Sequence, residues 1–165
     1  MKILPTIFTL FLFLFPLFGH ANPLDAFKYM ASSTWKAEGK WKSGAVFKQE
    51  VSYRFELSDK IVIAETKGFT DKDQTTFGLR NHGVRKYDAE SNKIKFWEFD
   101  VFNGLTEGLV TIENKNIYYQ YYYGKSLISD GWEYVDENTY NYKVGEYKNG
   151  VWLSTYLETT FKRVE

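Results

Sequence analysis

From Thr34 onward the apolar residues recur with a period of two, and short polar turns interrupt the pattern again and again. A period of two is the spacing of a strand with one buried face, so the chain is bound to a sheet rather than to packed helices. Trp35-Lys36-Ala37-Glu38-Gly39-Lys40-Trp41 alternates cleanly, with Trp35, Ala37, Gly39 and Trp41 on one face and charges on the other. After Ser43-Gly44, the next strand sends Phe47, Val51, Tyr53, Phe55 and Leu57 inward and Lys48, Glu50, Arg54 and Glu56 outward; only Gln49 breaks the inner row. Further strands read at 61–69, 77–87, 93–102, 105–112, 117–123, 131–135, 139–148 and 151–163.

Two Asn-Gly pairs, Asn103-Gly104 and Asn149-Gly150, stand between apolar-patterned runs and signal two-residue hairpins. The first pairs Phe102 with Leu105, Phe99 with Gly108 and Asp100 with Glu107. The second aligns Tyr140, Tyr142 and Val144 with Thr159, Leu157 and Thr155 on one face, extended by Leu153 and Phe161. The run 61–69 leaves two registers open. A three-residue loop points Glu65 inward beside Tyr53, whereas a two-residue loop sends Val62, Ala64 and Thr66 inward. About nine or ten strands joined by short turns predict an all-β, antiparallel up-and-down barrel, because closure removes the sheet edges. A two-sheet sandwich is the alternative.

The start of the chain follows another logic. Lys2 precedes an apolar run from Ile3 to Phe18, and Gly19-His20-Ala21 offers small residues where a signal peptidase cuts. Residues 1–21 are therefore expected to be a secretory signal peptide, cleaved after Ala21, with the product secreted or periplasmic. An uncleaved anchor is the competing reading, but the run is short for a membrane span. Asn22-Pro23 then suits a helix start, and Leu24, Phe27 and Ala31 form a narrow apolar stripe, which predicts a short amphipathic N-terminal helix. Residues 22–165 read as a single domain.

Charge and composition narrow the function classes. The chain carries 21 basic and 21 acidic side chains, a balance without the footprint of a nucleic-acid binder. It holds no cysteine, so disulfides, thiolate chemistry and cysteine zinc sites are excluded. Aromatic residues make up 19% of the chain, a rich supply for a compact core.

A Trp35 strand preceded by a short helix resembles the opening of the lipocalin-like (calycin) barrels, although Ser33 stands where their Gly-x-Trp motif has glycine. Thr34-Trp35-Lys36-Ala37-Glu38-Gly39 is also similar to the start of nitrobindin-type haem barrels. Tyr87-Asp88 and the spacing Trp97, Asp100, Gly104, Gly108 are similar to uncharacterised secreted bacterial lipocalin-like domains. The resemblance implies a barrel with a cavity. It does not extend to haem, since the nitrobindin-type histidine lies late in the chain and nothing after His82 here is histidine.

If Tyr87 opposes Ile94 across the 88–93 turn, Val84 faces Trp97, His82 faces Phe99 and Arg80 faces Val101. Trp97, Phe99 and Val101 form the more apolar face of their strand, which predicts that Arg80 and His82 point into the lumen. Arg80, helped by His82, would recognise the polar end of a ligand lying against Trp35, Tyr53, Trp97, Phe99, Tyr140 and Tyr142; a structural pairing of Arg80 with Glu65 is the plainer alternative. The opposite face, with Arg85, Glu98, Asp100 and Glu107, reads as a solvated face. The run 118–123 places Tyr119, Tyr121 and Tyr123 on one side and Tyr118 and Tyr122 on the other, a candidate sugar-stacking surface. No nucleophile elbow, spaced histidine pair or phosphate loop is present in the sequence. The expectation is a monomeric, exported barrel binding a small apolar or amphipathic molecule, with no cofactor, metal, nucleic acid or stable membrane insertion after cleavage. An enzyme using Arg80, His82 and Glu65 for proton transfer, and a carbohydrate or surface module on the tyrosine strand, are the rivals.

Overall fold

The computed structural model describes residues 22–164, so the expected signal peptide lies outside the described residues. Ten strands follow one another: β1 (Thr34–Lys40), β2 (Val46–Glu56), β3 (Ile61–Phe69), β4 (Phe77–Asp88), β5 (Lys93–Asp100), β6 (Leu105–Glu113), β7 (Asn116–Tyr123), β8 (Ser126–Asp136), β9 (Thr139–Lys148) and β10 (Val151–Val164). Each pairs antiparallel with its neighbours in sequence, and β1 meets β10 to close the barrel. The all-β, up-and-down reading holds, and the sandwich does not.

In place of an α-helix, Asp25–Tyr29 forms a five-residue 3-10 helix. Its spacing explains why. Leu24, Phe27 and Met30 are all fully buried, and steps of three residues fall on one face of a helix with three residues per turn. Asn22 still starts it, accepting the Leu24 N–H on Oδ1 at 3.0 Å. The helix closes one end of the barrel: Asn22 Nδ2 donates to Asp59 O in the β2–β3 turn, and Trp35 Nε1 donates to Met30 O at 3.0 Å. We call this the capped end and the opposite one the free end.

The turns decide which residues face inward, and here the spacing argument is corrected three times. Between β2 and β3 the chain takes four residues, not two or three. Leu57, Ser58 and Asp59 all adopt positive φ (53°, 54° and 62°), leaving Leu57 outside and 70% exposed. Ala64 then opposes Tyr53, and Val62, Ala64 and Thr66 are buried while Glu65 faces outward. At the first Asn-Gly, Asp100 folds over its own turn, with Oδ1 accepting the N–H groups of Phe102 and Gly104 at 2.8 Å each. That lengthens the loop, so Phe99 pairs with Leu105 and Trp97 with Glu107, and Asp100 and Glu107 do not meet. A Cβ at Gly104 would lie 2.5 Å from the Asp100 carboxylate and push it off the turn.

The second Asn-Gly hairpin begins with Val151 opposite Lys148. Register shifts between Trp152 and Ser154 and between Thr155 and Leu157 then move the ladder by two residues in all. Two single-residue shifts restore the parity, so Tyr140 faces Phe161 and Val144 faces Leu157, with the expected face still inward. Leu153, expected to extend that face, is 64% exposed.

Candidate functional site

In the capped half the lumen is filled by rings. Trp132 stacks on Phe161 with centroids 4.2 Å apart, and Trp35 meets Tyr140 edge-on at 5.1 Å. Tyr53 contacts both Phe27 of the helix and Trp132. Tilted and edge-to-face contacts at these distances are the favourable arrangements for aromatic pairs. Tyr140 Oη, without a hydrogen-bond partner, is the polar exception in this packing.

Towards the free end the inner rows turn polar. Arg85 on β4 is 2% exposed and points into the lumen. Its Nη2 is bonded to Glu98 Oε1 on β5, and its Nε donates to Tyr119 Oη at 3.0 Å. Its charge lies over the rings of Tyr119 (4.9 Å), Tyr53 (5.8 Å) and Phe96 (5.9 Å), a cage that suits a weakly hydrated cation. Burial acts against the charge, but Tyr119, Glu98 and Tyr53 outweigh it and hold the proton more firmly than in a free arginine. Gly83 makes room for the pair. A Cβ there would collide with Arg85 Nη1 and fall 2.7 Å from Glu98 Cγ.

Two polar atoms on β4 are buried without a protein partner: Arg85 Nη1 and Asn81 Oδ1. Asn81 opposes Thr66 and Asp100 in the ladder, on the same inward row as Gly83 and Arg85. The donor lies over Gly83, and the acceptor belongs to Asn81, two residues further along the same inward row. Glu98, Thr106, Tyr121 and Asp130, inward residues on the neighbouring strands, all retain partial exposure, so solvent reaches this half of the lumen.

Asp130 on β8 adds a second carboxyl beside that of Glu98. Tyr121 Oη donates to its Oδ1 and Tyr142 Oη to its Oδ2, each at 2.9 Å. Lost hydration pushes its carboxyl up to about 7, against the pull of the two hydroxyl donors. Burial raises both tyrosines as well, so they remain protonated donors. Among the described residues, no group of three or more His, Asp or Glu side chains is placed to hold a metal ion.

The residues singled out from the sequence divide. Trp35, Tyr53, Tyr140 and Tyr142 are buried inside, with relative exposures of 0–6%. The pairing of His82 with Phe99 and of Val84 with Trp97 is as expected, but the strands face the other way. Phe99 is 54% exposed, Trp97 lies on the outer wall, and the half-exposed His82 side chain faces outward, 3.6 Å from Glu65. Glu65 also takes Arg54 Nη1 at 3.1 Å, so two members of the expected proton-transfer set, Glu65 and His82, lie on the outer wall. Arg80 occupies an extra position where the β3–β4 register shifts between Thr66 and Lys67. It lies at the rim, donating to Phe69 O at 3.0 Å and crossing the Phe102 ring at 5.2 Å. Of the face expected to be solvated, Arg85 and Glu98 turn inward, Asp100 folds over its own turn, and Glu107 stays exposed on the outer wall opposite Trp97.

The tyrosine run also splits. Tyr119 and Tyr121 turn inward, whereas Tyr122 and Tyr123 are 72% and 79% exposed at the β7–β8 turn. Tyr118 faces outward yet is buried, stacked on Tyr147 at 4.5 Å with Trp152 beside it. The curled β9–β10 hairpin leaves a groove of about 670 Å³ there, lined by Tyr118, Gln120, Leu127, Glu146, Tyr147 and Leu153, among others. Compared with known proteins, the chain matches no family model, and no curated protein is similar to it.

Proposed function

We propose that this protein is an exported, lipocalin-like barrel that binds a small, partly apolar molecule by a polar acceptor group and performs no reaction on it. The observation that carries the reading is the unpartnered pair on one inward row, Arg85 Nη1 over Gly83 and Asn81 Oδ1 two residues beyond it. A buried donor left without an acceptor costs about 1–3 kcal/mol, more when charged, and a ligand that supplies the acceptor recovers it. A carboxylic acid or amide offers both an acceptor for Arg85 and a partner for Asn81. Its apolar part lies toward the free end, because rings fill the capped half. Tyr142, Phe96 and Tyr121 are the aromatic neighbours in this arrangement, and Trp35, Tyr53 and Tyr140 support the barrel beneath it.

Native mass spectrometry of freshly purified protein tests the reading, followed by tryptophan fluorescence titration with a panel of aliphatic and aromatic carboxylic acids and their amides. The expected result is a copurified small molecule or saturable quenching, weakened at least tenfold in Arg85→Gln and several-fold in Asn81→Leu. A folded protein that arrives empty and ignores the panel overturns it, as does unaltered binding by a folded Arg85→Gln variant.

A further inference from the structure

Inside the rim, where Asp100 folds over its turn and Arg80 bonds the Phe69 carbonyl, the charges of the free half nearly cancel. Arg85 on β4 contributes one positive charge, which Glu98 on β5 neutralises by direct contact. Asp130 on β8 is left over. From β7 and β9 it receives only hydroxyl donors, Tyr121 and Tyr142, and neither a guanidinium nor an ammonium group bonds its carboxylate. Tyr119 on β7 and Tyr53 on β2 complete the surroundings, and both hold their protons through burial. With Asp130 protonated the lumen is neutral; with Asp130 ionised it already carries one negative charge without a counterion.

An anion that docks on Arg85 Nη1 adds a negative charge to this enclosure. Poorly hydrated like charges repel strongly, and the way to relieve that repulsion within the site is to protonate Asp130. We infer that the site takes up a monoanionic ligand, such as a monocarboxylate, together with one proton that resides on Asp130. The inference rests on the binding reading above and adds the charge of the ligand and its coupling to pH. The balance is simple: one anion and one proton enter, and no bond is made or broken in the ligand. A neutral amide gains nothing from the proton, so it binds without pH dependence.

Isothermal titration with benzoate and with hexanoate decides the matter. Run at about pH 8 in two buffers of different ionisation enthalpy, it counts the protons taken up from solution. The expected result is roughly one proton per bound anion, with affinity falling about tenfold per pH unit above the Asp130 titration and levelling below it. Asp130→Asn, which keeps both tyrosine contacts, removes the uptake and the slope. Binding of either acid without proton uptake overturns the coupling and leaves the binding reading standing. No binding of these acids or of any acid or amide of the panel at any pH, with the protein folded, overturns both, and binding of amides alone overturns only the coupling. The count in the unmodified protein needs no variant, so a poorly folding Asp130→Asn chain does not stall the test.

Discussion

Along the same strands, Trp132 on β8 lies face to face with Phe161 in the capped half, while Asp130, two residues away, is held by tyrosine hydroxyls and shares the free half with Arg85 and Glu98. The capped half is held by area and shape: large rings in contact, with nearly every polar group excluded. Beside the Trp41 and Phe47 rings, the Arg85, Glu98 and Asp130 side of the free half is held by partners, and its stability depends on each charge keeping its counterpart. Packing tolerates no ligand without losing contacts, whereas a network with a spare donor and a spare acceptor gains by accepting one.

Replacing one member of each half should cost a similar amount but be cured differently. Arg85→Leu strands Glu98 and Tyr119 and is expected to destabilise by about 3–5 kcal/mol in urea unfolding. The double change Arg85→Leu with Glu98→Leu should recover most of that loss, because it removes the unpaired charge. Trp132→Ala opens a void among rings and should also cost about 3–5 kcal/mol. No change of pH or of a charged neighbour should restore it. If the double change in the free half is no better than the single one, the distinction between the halves fails.

The pH dependence of stability sharpens the contrast further. Asp130 titrates near 7 when folded and near the usual 3.8 when unfolded, so the folded protein binds more protons between those values. Stability should therefore fall as pH rises from about 5 to 8, by roughly 1–3 kcal/mol given the partial exposure of Asp130. Asp71 and Asp136, lowered by hydrogen bonds within their own turns, and Asp88, lowered first by the Lys95 ammonium and then by Ser91, act in the opposite sense, but their effect belongs to more acid solution. Thermal melts of wild type and Asp130→Asn between pH 5 and 8 check the sign: the wild-type melting temperature declines and the variant's stays level. A smaller effect is expected at Gly83→Ala, which pushes on Arg85 Nη1 without removing any partner. It should cost about 1–3 kcal/mol, as overpacking does, and should weaken benzoate binding in the same titration.

The strands were legible because alternation survives in almost all of them, and the pairing of β4 with β5 was legible because the 88–93 turn is unambiguous. Their inward face was not. A count of apolar residues on β5 favours Trp97, Phe99 and Val101, and the opposite row of Phe96, Glu98 and Asp100 looks like surface. The count misleads because Arg85 and Glu98 neutralise each other, which makes a charged pair tolerable inside while Phe99 remains outside. The clue lay across the sheet. Once Tyr53 is inward, the row Tyr53, Ala64, Gly83, Glu98 follows from pairing alone, but it passes through the β2–β3 turn. Three successive left-handed residues in that turn, none of them glycine, carry no sequence signal that fixes the loop length. The 3-10 helix was missed by a related route: Leu24, Phe27 and Met30 fit a three-residue step, and the stripe chosen instead was Leu24, Phe27 and Ala31.

The joint between β1 and β10 is a short one, with only Thr34, Lys36 and Trp35 laddered to Val164, Lys162 and Arg163. Beyond it the regular ladder lapses while the strands stay in touch: the Thr159 hydroxyl donates to the Glu38 carbonyl at 2.7 Å, and the Lys42 N–H to the Tyr156 carbonyl at 2.8 Å. Because it unites the two most distant stretches of the sheet, this fastening should be the last to form as the polypeptide folds and the first to loosen. Amide protons on either side of it should exchange earlier than those of the neighbouring hairpins, and the cylinder should open along that line like a coat unbuttoned from one edge.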